Sequence, residues 1–319
     1  MSSVDLMKLI QRNVLSLEPY HVEDNDCEIK LHANENPFPP SKELLDLFSA
    51  SLQKLQLNRY PDPDSKALKD SIANRLDIKT ERLVIGNGSD EIILFLLQVF
   101  CQEGDTIIFP EPTFAMYSII AQSLSIKSAS ISLDSQWNFN ADVLLRSAEE
   151  NNSRIIFLSY PNNPTGNCFS DIQVQKVIES FQGIVVIDEA YHDFSRKSFI
   201  NQIEEHNNLV VLRSLSKIGL AALRVGFGVA DPLVINEINK VRLPYNSNTI
   251  SQTFAEHLIT NFEAVQEQVD SIVDERHRLL DELQKVESVT AFPSDSNFIL
   301  FKTEKSANNI FTHLSKNGI

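Results

Sequence analysis

Between Leu83 and Leu212 the chain repeats one unit, a short apolar run followed by a longer amphipathic stretch. The runs are Leu83–Ile85, Thr106–Phe109, Ile155–Leu158, Ile184–Ile187 and Leu209–Leu212, with the more polar Ile126–Ile131 strand-like among them. Helical spacing fills Ser89–Phe100, Thr113–Leu124, Asn140–Glu150 and Asp171–Ser180. A strand that is apolar throughout needs cover on both faces, and helices between successive strands supply it. The pattern predicts an α/β fold: a three-layer large domain around a mostly parallel sheet, with Val225–Ala230 as a candidate edge strand. Ligands of such sheets bind beyond the carboxyl ends of the strands, which is where chemistry is to be sought.

The flanks read differently. Residues 1–40 are irregular and rich in proline and asparagine, which suits an arm lying across something else. Ser41 is a candidate N-cap for a helix with Leu44, Leu45, Phe48, Leu52 and Leu55 on one face. Asn58–Pro63 breaks it, and Asp64 opens a second helix carrying Leu68, Ile72 and Leu76. The large domain is expected over 41–245. Beyond it, Thr249 to about Leu283 reads as one long helix, followed by strand-like Ser288–Phe292 and Asn297–Phe301 and a helix from Ser306. This is a smaller α+β domain, 246–319. Gly318 suits a helix end and Ile319 the start of a further strand, so the small domain is expected to be C-terminally incomplete.

Composition narrows the function. With 28 basic against 43 acidic residues the net charge is −15, the wrong sign for nucleic acid. No apolar run is long enough to span a bilayer, and Asp5 and Lys8 interrupt any leader-like start. Three widely spaced cysteines fit a reduced, cytoplasmic setting. The seven histidines lack metal-ligand spacing, so no metal site is expected.

Five strand ends carry chemistry. Past Leu212 comes Arg213-Ser214-Leu215-Ser216-Lys217, then Arg224-Val225-Gly226. An amine just beyond a buried strand can lose its proton in a dry site and form a Schiff base, while Ser214, Ser216 and Arg224 hold a phosphate. The alternative is a solvated loop lysine. Past Ile85, Gly86-Asn87-Gly88-Ser89-Asp90 opens a helix whose free amides suit phosphate, or is an ordinary start capped by Ser89. Past Leu158, two prolines around Asn162 and Asn163 stiffen a loop that can aim an amide at a ligand. Asp188, ending a buried run, needs a cation: a protonated ligand ring nitrogen or a core arginine. Phe114, past Phe109, offers a ring at the same edge, as a platform or as core. Together these groups describe one ligand, a planar cation with a phosphate and an aldehyde, which is pyridoxal 5'-phosphate.

The motifs Asn163-Pro164-Thr165-Gly166, Asp188-Glu189-Ala190-Tyr191, Ser214-Leu215-Ser216-Lys217 and Arg224-Val225-Gly226 resemble class I/II aminotransferases of the type I pyridoxal-phosphate fold. Leu31–Pro37, Arg59–Asp62, Glu111–Tyr117 and Arg242–Asn246 narrow the resemblance to the histidinol-phosphate aminotransferase family, from about residue 12 to the last residue. The resemblance implies that Lys217 carries the Schiff base and shuttles the proton. It implies that Asp188 meets the ring nitrogen, Asn163 and Tyr191 the ring oxygen, and Phe114 the ring face. The backbone amides of Ser89 and Asp90, with Ser214, Ser216 and Arg224, would hold the phosphate. Tyr60 would reach the phosphate of a neighbouring subunit in a homodimer with shared active sites, and Tyr20 would contact substrate.

The implied reaction passes an amino group from glutamate, which leaves as 2-oxoglutarate, to imidazole-acetol phosphate, giving histidinol phosphate in histidine biosynthesis. Two departures stand out. The Lys217–Arg224 spacing is one residue shorter than in many relatives, and the family's C-terminal segment, with its substrate-gripping arginine, is expected beyond Ile319. Other readings are an aminotransferase for aromatic or other amino acids, an enzyme like threonine-phosphate decarboxylase, and a truncated, inactive chain that binds cofactor.

Overall fold

The computed structural model describes residues 4–19 and 27–319. Seven strands form one sheet: β1 (Leu83–Asn87), β2 (Thr106–Glu111), β3 (Lys127–Ser132), β4 (Ser153–Ser159), β5 (Ile184–Asp188), β6 (Leu209–Ser214) and β7 (Val225–Ala230). Their order is β1-β7-β6-β5-β4-β2-β3. Every pair is parallel except the two made by β7, which runs antiparallel to both neighbours. The edge position expected for Val225–Ala230 is therefore corrected: β7 is interior and fully buried, and β1 takes the edge.

Successive residues of the central strands feed opposite cores, as the pleat requires. Ile156, Leu158, Val185, Ile187, Leu209 and Val211 pack on one face, in the cluster that also holds Leu68, Ile72, Leu144 and Val177. Ile155, Phe157, Val186, Val210 and Leu212 pack on the other, with Ile92, Leu96, Tyr117 and Ile235. Burial on both faces is why these strands read as unbroken apolar runs.

Several boundaries move, each for a local reason. The second helix starts at Lys66, not Asp64, because the Asp62 carboxylate accepts from the Asp64 and Lys66 amides at 3.0 and 2.8 Å. The helix expected from Thr113 begins at Met116, since the Thr113 hydroxyl donates to Asn162 at 2.7 Å and ties the preceding loop down. The long helix after residue 249 is two, Thr249–Thr260 and Glu263–Gln284. The chain turns at Asn261 and Phe262, whose ring is buried beneath the Arg75 guanidinium at 3.6 Å. A second sheet pairs β8 (Val289–Ala291) with β9 (Phe301–Thr303), so the final strand starts at the end of the stretch expected. A helix over Ala307–Lys316 follows. Among the described residues no helix is long and apolar enough to cross a membrane.

Candidate active site

The reversed direction of β7 shapes the site. Because it runs against β1 and β6, its first residues lie beside their last: Val225 opposite Asn87 and Gly226 opposite Ser214. Arg224 thus joins the carboxyl ends of β1, β4, β5 and β6 along one rim. A cavity of about 750 Å³ opens there, within the range of small-molecule sites. It brings together Ser89, Asp90, Phe114, Asn163, Asp188, Tyr191, Ser214, Ser216, Lys217 and Arg224. One expected residue is elsewhere. Tyr60 is outside the cavity, 81% exposed and stacked on Tyr245 at 4.6 Å. Tyr20 lies outside the described residues.

At one end of the cavity the helix Gly88–Phe100 begins, directly after β1. Its Ser89 and Asp90 amides have no earlier helical carbonyl to meet. Ser89 is not the cap: the N-cap is Asn87, whose side chain makes no capping bond and whose backbone amide donates to Glu91 at 2.8 Å. Gly88 donates its amide to the Arg224 carbonyl at 2.9 Å and adopts φ +75°, a left-handed conformation natural to glycine. A Cβ there would meet the Arg224 guanidinium at 2.6 Å. A Cβ on Gly226 would lie 2.4 Å from both Gly88 C and Ser89 N. Arg224 donates to Asp90 at 2.9 Å and to the Ser216 hydroxyl at 3.3 Å. Backbone amides, two hydroxyls and a guanidinium therefore converge on one spot, a chemistry suited to an anion.

At the other end sits Asp188, 3% exposed. Its Oδ2 accepts from the Tyr117 hydroxyl at 2.8 Å and its Oδ1 from the Ala190 amide at 3.2 Å. Burial pushes its carboxyl up to about 6. The core arginine that could have compensated it is committed elsewhere: Arg213, on the neighbouring strand, pairs with buried Glu189 at 2.7 Å. Asp188 is thus a buried acid with two neutral donors and, among the described residues, no ion-pair partner. It can still receive a cation from a ligand.

Between the two ends lies Lys217, in a 3-10 turn just past β6. Its Nζ donates to the Ala33 carbonyl at 2.8 Å and lies 5.6 Å from the Tyr191 ring centre. Burial holds its ammonium below the usual range, the condition for an amine that must deprotonate. It is not a solvated loop lysine. Burial also raises the Tyr191 hydroxyl to about 12, so it remains protonated, and it accepts from the Asn34 amide at 3.1 Å. The asparagine pair divides its work. Asn162 is fully buried and bonds Thr113, Pro112 and Thr165, bracing the loop, while Asn163 faces the cavity.

Sequence reasoning missed Ala33, Asn34 and Tyr117 as parts of the site. The arm is tied down by Asn297 donating to the Asn34 carbonyl at 2.9 Å and by Asn36 donating to the Ile218 carbonyl and to Gln268. It crosses the cavity mouth, where the Ile29 amide donates to the Gly318 carbonyl at 2.9 Å. Ala33 acts through its backbone, which no side-chain motif reveals. Asn34 and Tyr117 both fall in stretches already conspicuous in sequence.

Comparison with known proteins agrees with this geometry. Histidinol-phosphate aminotransferase 2 of Nitrosococcus oceani is 38% identical over 312 residues, covering 97% of this chain and 87% of the relative. The Aquifex aeolicus histidinol-phosphate aminotransferase is 37% identical over 313 residues, with 98% and 88% covered. The fold matches a crystal structure of histidinol-phosphate aminotransferase from Sinorhizobium meliloti in complex with pyridoxal-5'-phosphate, with TM-score 0.89, 20% identity, and 97% and 88% of the two chains covered. The family model described as aminotransferase class I and II matches residues 27–318, and the chain belongs to that family.

Proposed function

We propose that this chain is a pyridoxal 5'-phosphate-dependent aminotransferase that exchanges an amino group between glutamate and imidazole-acetol phosphate, yielding 2-oxoglutarate and histidinol phosphate. The observation that carries the reading is the pairing, across one cavity, of a half-buried amine with a depressed pKa and a buried acid that, among the described residues, has no ion-pair partner. Pyridoxal phosphate fits both ends of that cavity: the anion cradle kept open by Gly88 and Gly226 suits its phosphate, and Asp188 suits its ring nitrogen. Relatives named for histidinol phosphate, at more than 30% identity over nearly the whole chain, favour that substrate over aromatic amino acids or a decarboxylation.

The residues divide the work. Ser89, Asp90, Ser214, Ser216 and Arg224 would hold the phosphate, Phe114 would lie against the ring, and Asn163 and Tyr191 would bond its ring oxygen. When bound, the cofactor supplies an electron sink that makes a proton on the substrate carbon acidic. Lys217 would provide the attachment amine, and its Nζ would take up and return the proton of the substrate carbon. Burial lowers its pKa, which shifts the amine toward the neutral form that a base requires. Asp188 would stabilise positive charge at the ring nitrogen, in a dry setting where that interaction is strong. Tyr191 stays protonated and so remains a donor.

We further propose a cytoplasmic homodimer in which the partner subunit's Tyr60 completes the phosphate site. The exposure of Tyr60, outside its own chain's cavity, supports this.

The decisive experiment mixes purified protein with glutamate and imidazole-acetol phosphate and follows 2-oxoglutarate. Parallel initial-rate lines, the signature of a ping-pong cycle, are expected. Carbon dioxide release from threonine phosphate without amino transfer would overturn the assignment. A second measurement addresses the cradle. Gly226→Ala should weaken pyridoxal phosphate binding at least tenfold by an absorbance titration. It should also cost about 1–3 kcal/mol in urea unfolding, because the added Cβ presses on backbone that cannot yield.

A further inference from the structure

Behind Asp188, away from the cavity lining, stands Tyr117. It is fully buried, and its hydroxyl is 2.8 Å from Asp188 Oδ2. Its ring stacks on Phe157 at 4.7 Å with 15° between planes, and meets Phe114 edge-on at 5.5 Å and 86°. One side chain therefore touches both the acid assigned to the ring nitrogen and the aromatic assigned to the ring face. The helix Met116–Ser123 fixes its backbone, and the stack on β4 fixes its ring plane, so its hydroxyl has a set position. Among the described residues Asp188 has one other donor, the Ala190 amide on its second oxygen.

We propose that Tyr117 is a positioning residue: its hydroxyl orients the Asp188 carboxylate and keeps it ionised, and its ring sets the height of Phe114 over the cofactor plane. This rests on the aminotransferase reading for what Asp188 does, but not for the hydrogen bond itself. A donor to a carboxylate favours its charged form, and among the described residues no cation pairs directly with Asp188; the Lys217 ammonium acts on it only through space. Tyr117 is itself held protonated, by burial first and then by the Asp188 charge, so it donates across the working pH range.

The test is Tyr117→Phe, which removes the hydroxyl and keeps the ring. In the holoenzyme, kcat should fall about tenfold to a hundredfold with KM nearly unchanged, and the acid limb of the kcat profile should move to higher pH. A wild-type kcat and an unmoved acid limb would overturn the proposal. Phe157→Leu loosens the same ring but keeps the hydroxyl, so it should leave the acid limb in place. An equal shift in Phe157→Leu would mean packing, not the hydrogen bond, governs Asp188. The same question can be put without cofactor. In protein labelled with carboxyl-13C aspartate, the Asp188 signal, identified by its loss in Asp188→Asn, should titrate at higher pH in Tyr117→Phe than in wild type. Equal midpoints refute the role of Tyr117 whether or not the protein transaminates. A shifted midpoint in a protein that never binds pyridoxal phosphate would sustain that role and refute the aminotransferase reading.

Discussion

Lys217→Ala is expected to lower amino transfer by about ten-thousandfold or more and to abolish covalent retention of the cofactor. The variant loses the attachment amine, which is also the only amine that lines the cavity among the described residues. Binding need not vanish, because the cradle at Ser89, Ser214, Ser216 and Arg224 is untouched. Borohydride treatment followed by mass spectrometry separates the two effects: wild type should gain the cofactor mass irreversibly and the variant should not. Lys217→Arg sharpens the point. Arginine keeps a positive charge near Asp90 and Glu35 but cannot deprotonate at any working pH, so it should be as inactive as alanine. If the arginine variant retained more than a hundredth of the wild-type rate, charge alone would explain Lys217. Folding should survive in both variants. Among the described residues the ammonium's one hydrogen bond goes to the Ala33 carbonyl, and burial already disfavours its charged form.

The large sheet was legible because burial on both faces writes itself as uninterrupted apolar runs, and because each functional group follows such a run. Ser214, Asp188 and Ser159 are the last residues of β6, β5 and β4. What stayed illegible involves contacts distant in sequence. Val225–Ala230 contains two glycines, which weakens a strand reading. Those glycines are explained only by neighbours: the backbone of Gly88 and Ser89 against Gly226, and Val84 and Ile92 against Gly228. The break at Asn261 and Phe262 leaves the helical periodicity intact and involves no proline or glycine, so its cause, a buried Phe262 under Arg75, is tertiary. The Ala33 carbonyl lies 184 residues from the lysine it meets. Tyr117 reads as one more helical core residue until its hydroxyl is placed.

Asp188→Asn should move activity and stability in opposite directions. The buried carboxyl is raised from 3.8 to about 6, so between those values the folded chain binds more protons than the unfolded one. Stability therefore falls as pH rises through that window, and the full cost, about 3 kcal/mol for a shift of this size, is present above pH 6 and absent below about 3.8. An asparagine avoids it. Its amide oxygen can accept from Ala190, and its NH2 can donate to the Tyr117 oxygen once that hydroxyl turns toward Ser159. In urea unfolding at pH 8 the cofactor-free variant should thus be more stable than wild type, by up to about 3 kcal/mol, and the advantage should vanish near pH 4. Activity should go the other way, with kcat falling about a hundredfold to a thousandfold, because a neutral amide cannot stabilise charge on the ring nitrogen. Saturating pyridoxal phosphate should raise the melting temperature of wild type more than that of Asp188→Asn, since only the carboxylate gains from a cation in the cavity. A variant no more stable than wild type at pH 8 would mean that Asp188 is already compensated within the protein. In that case the site would have no need of a cationic ligand.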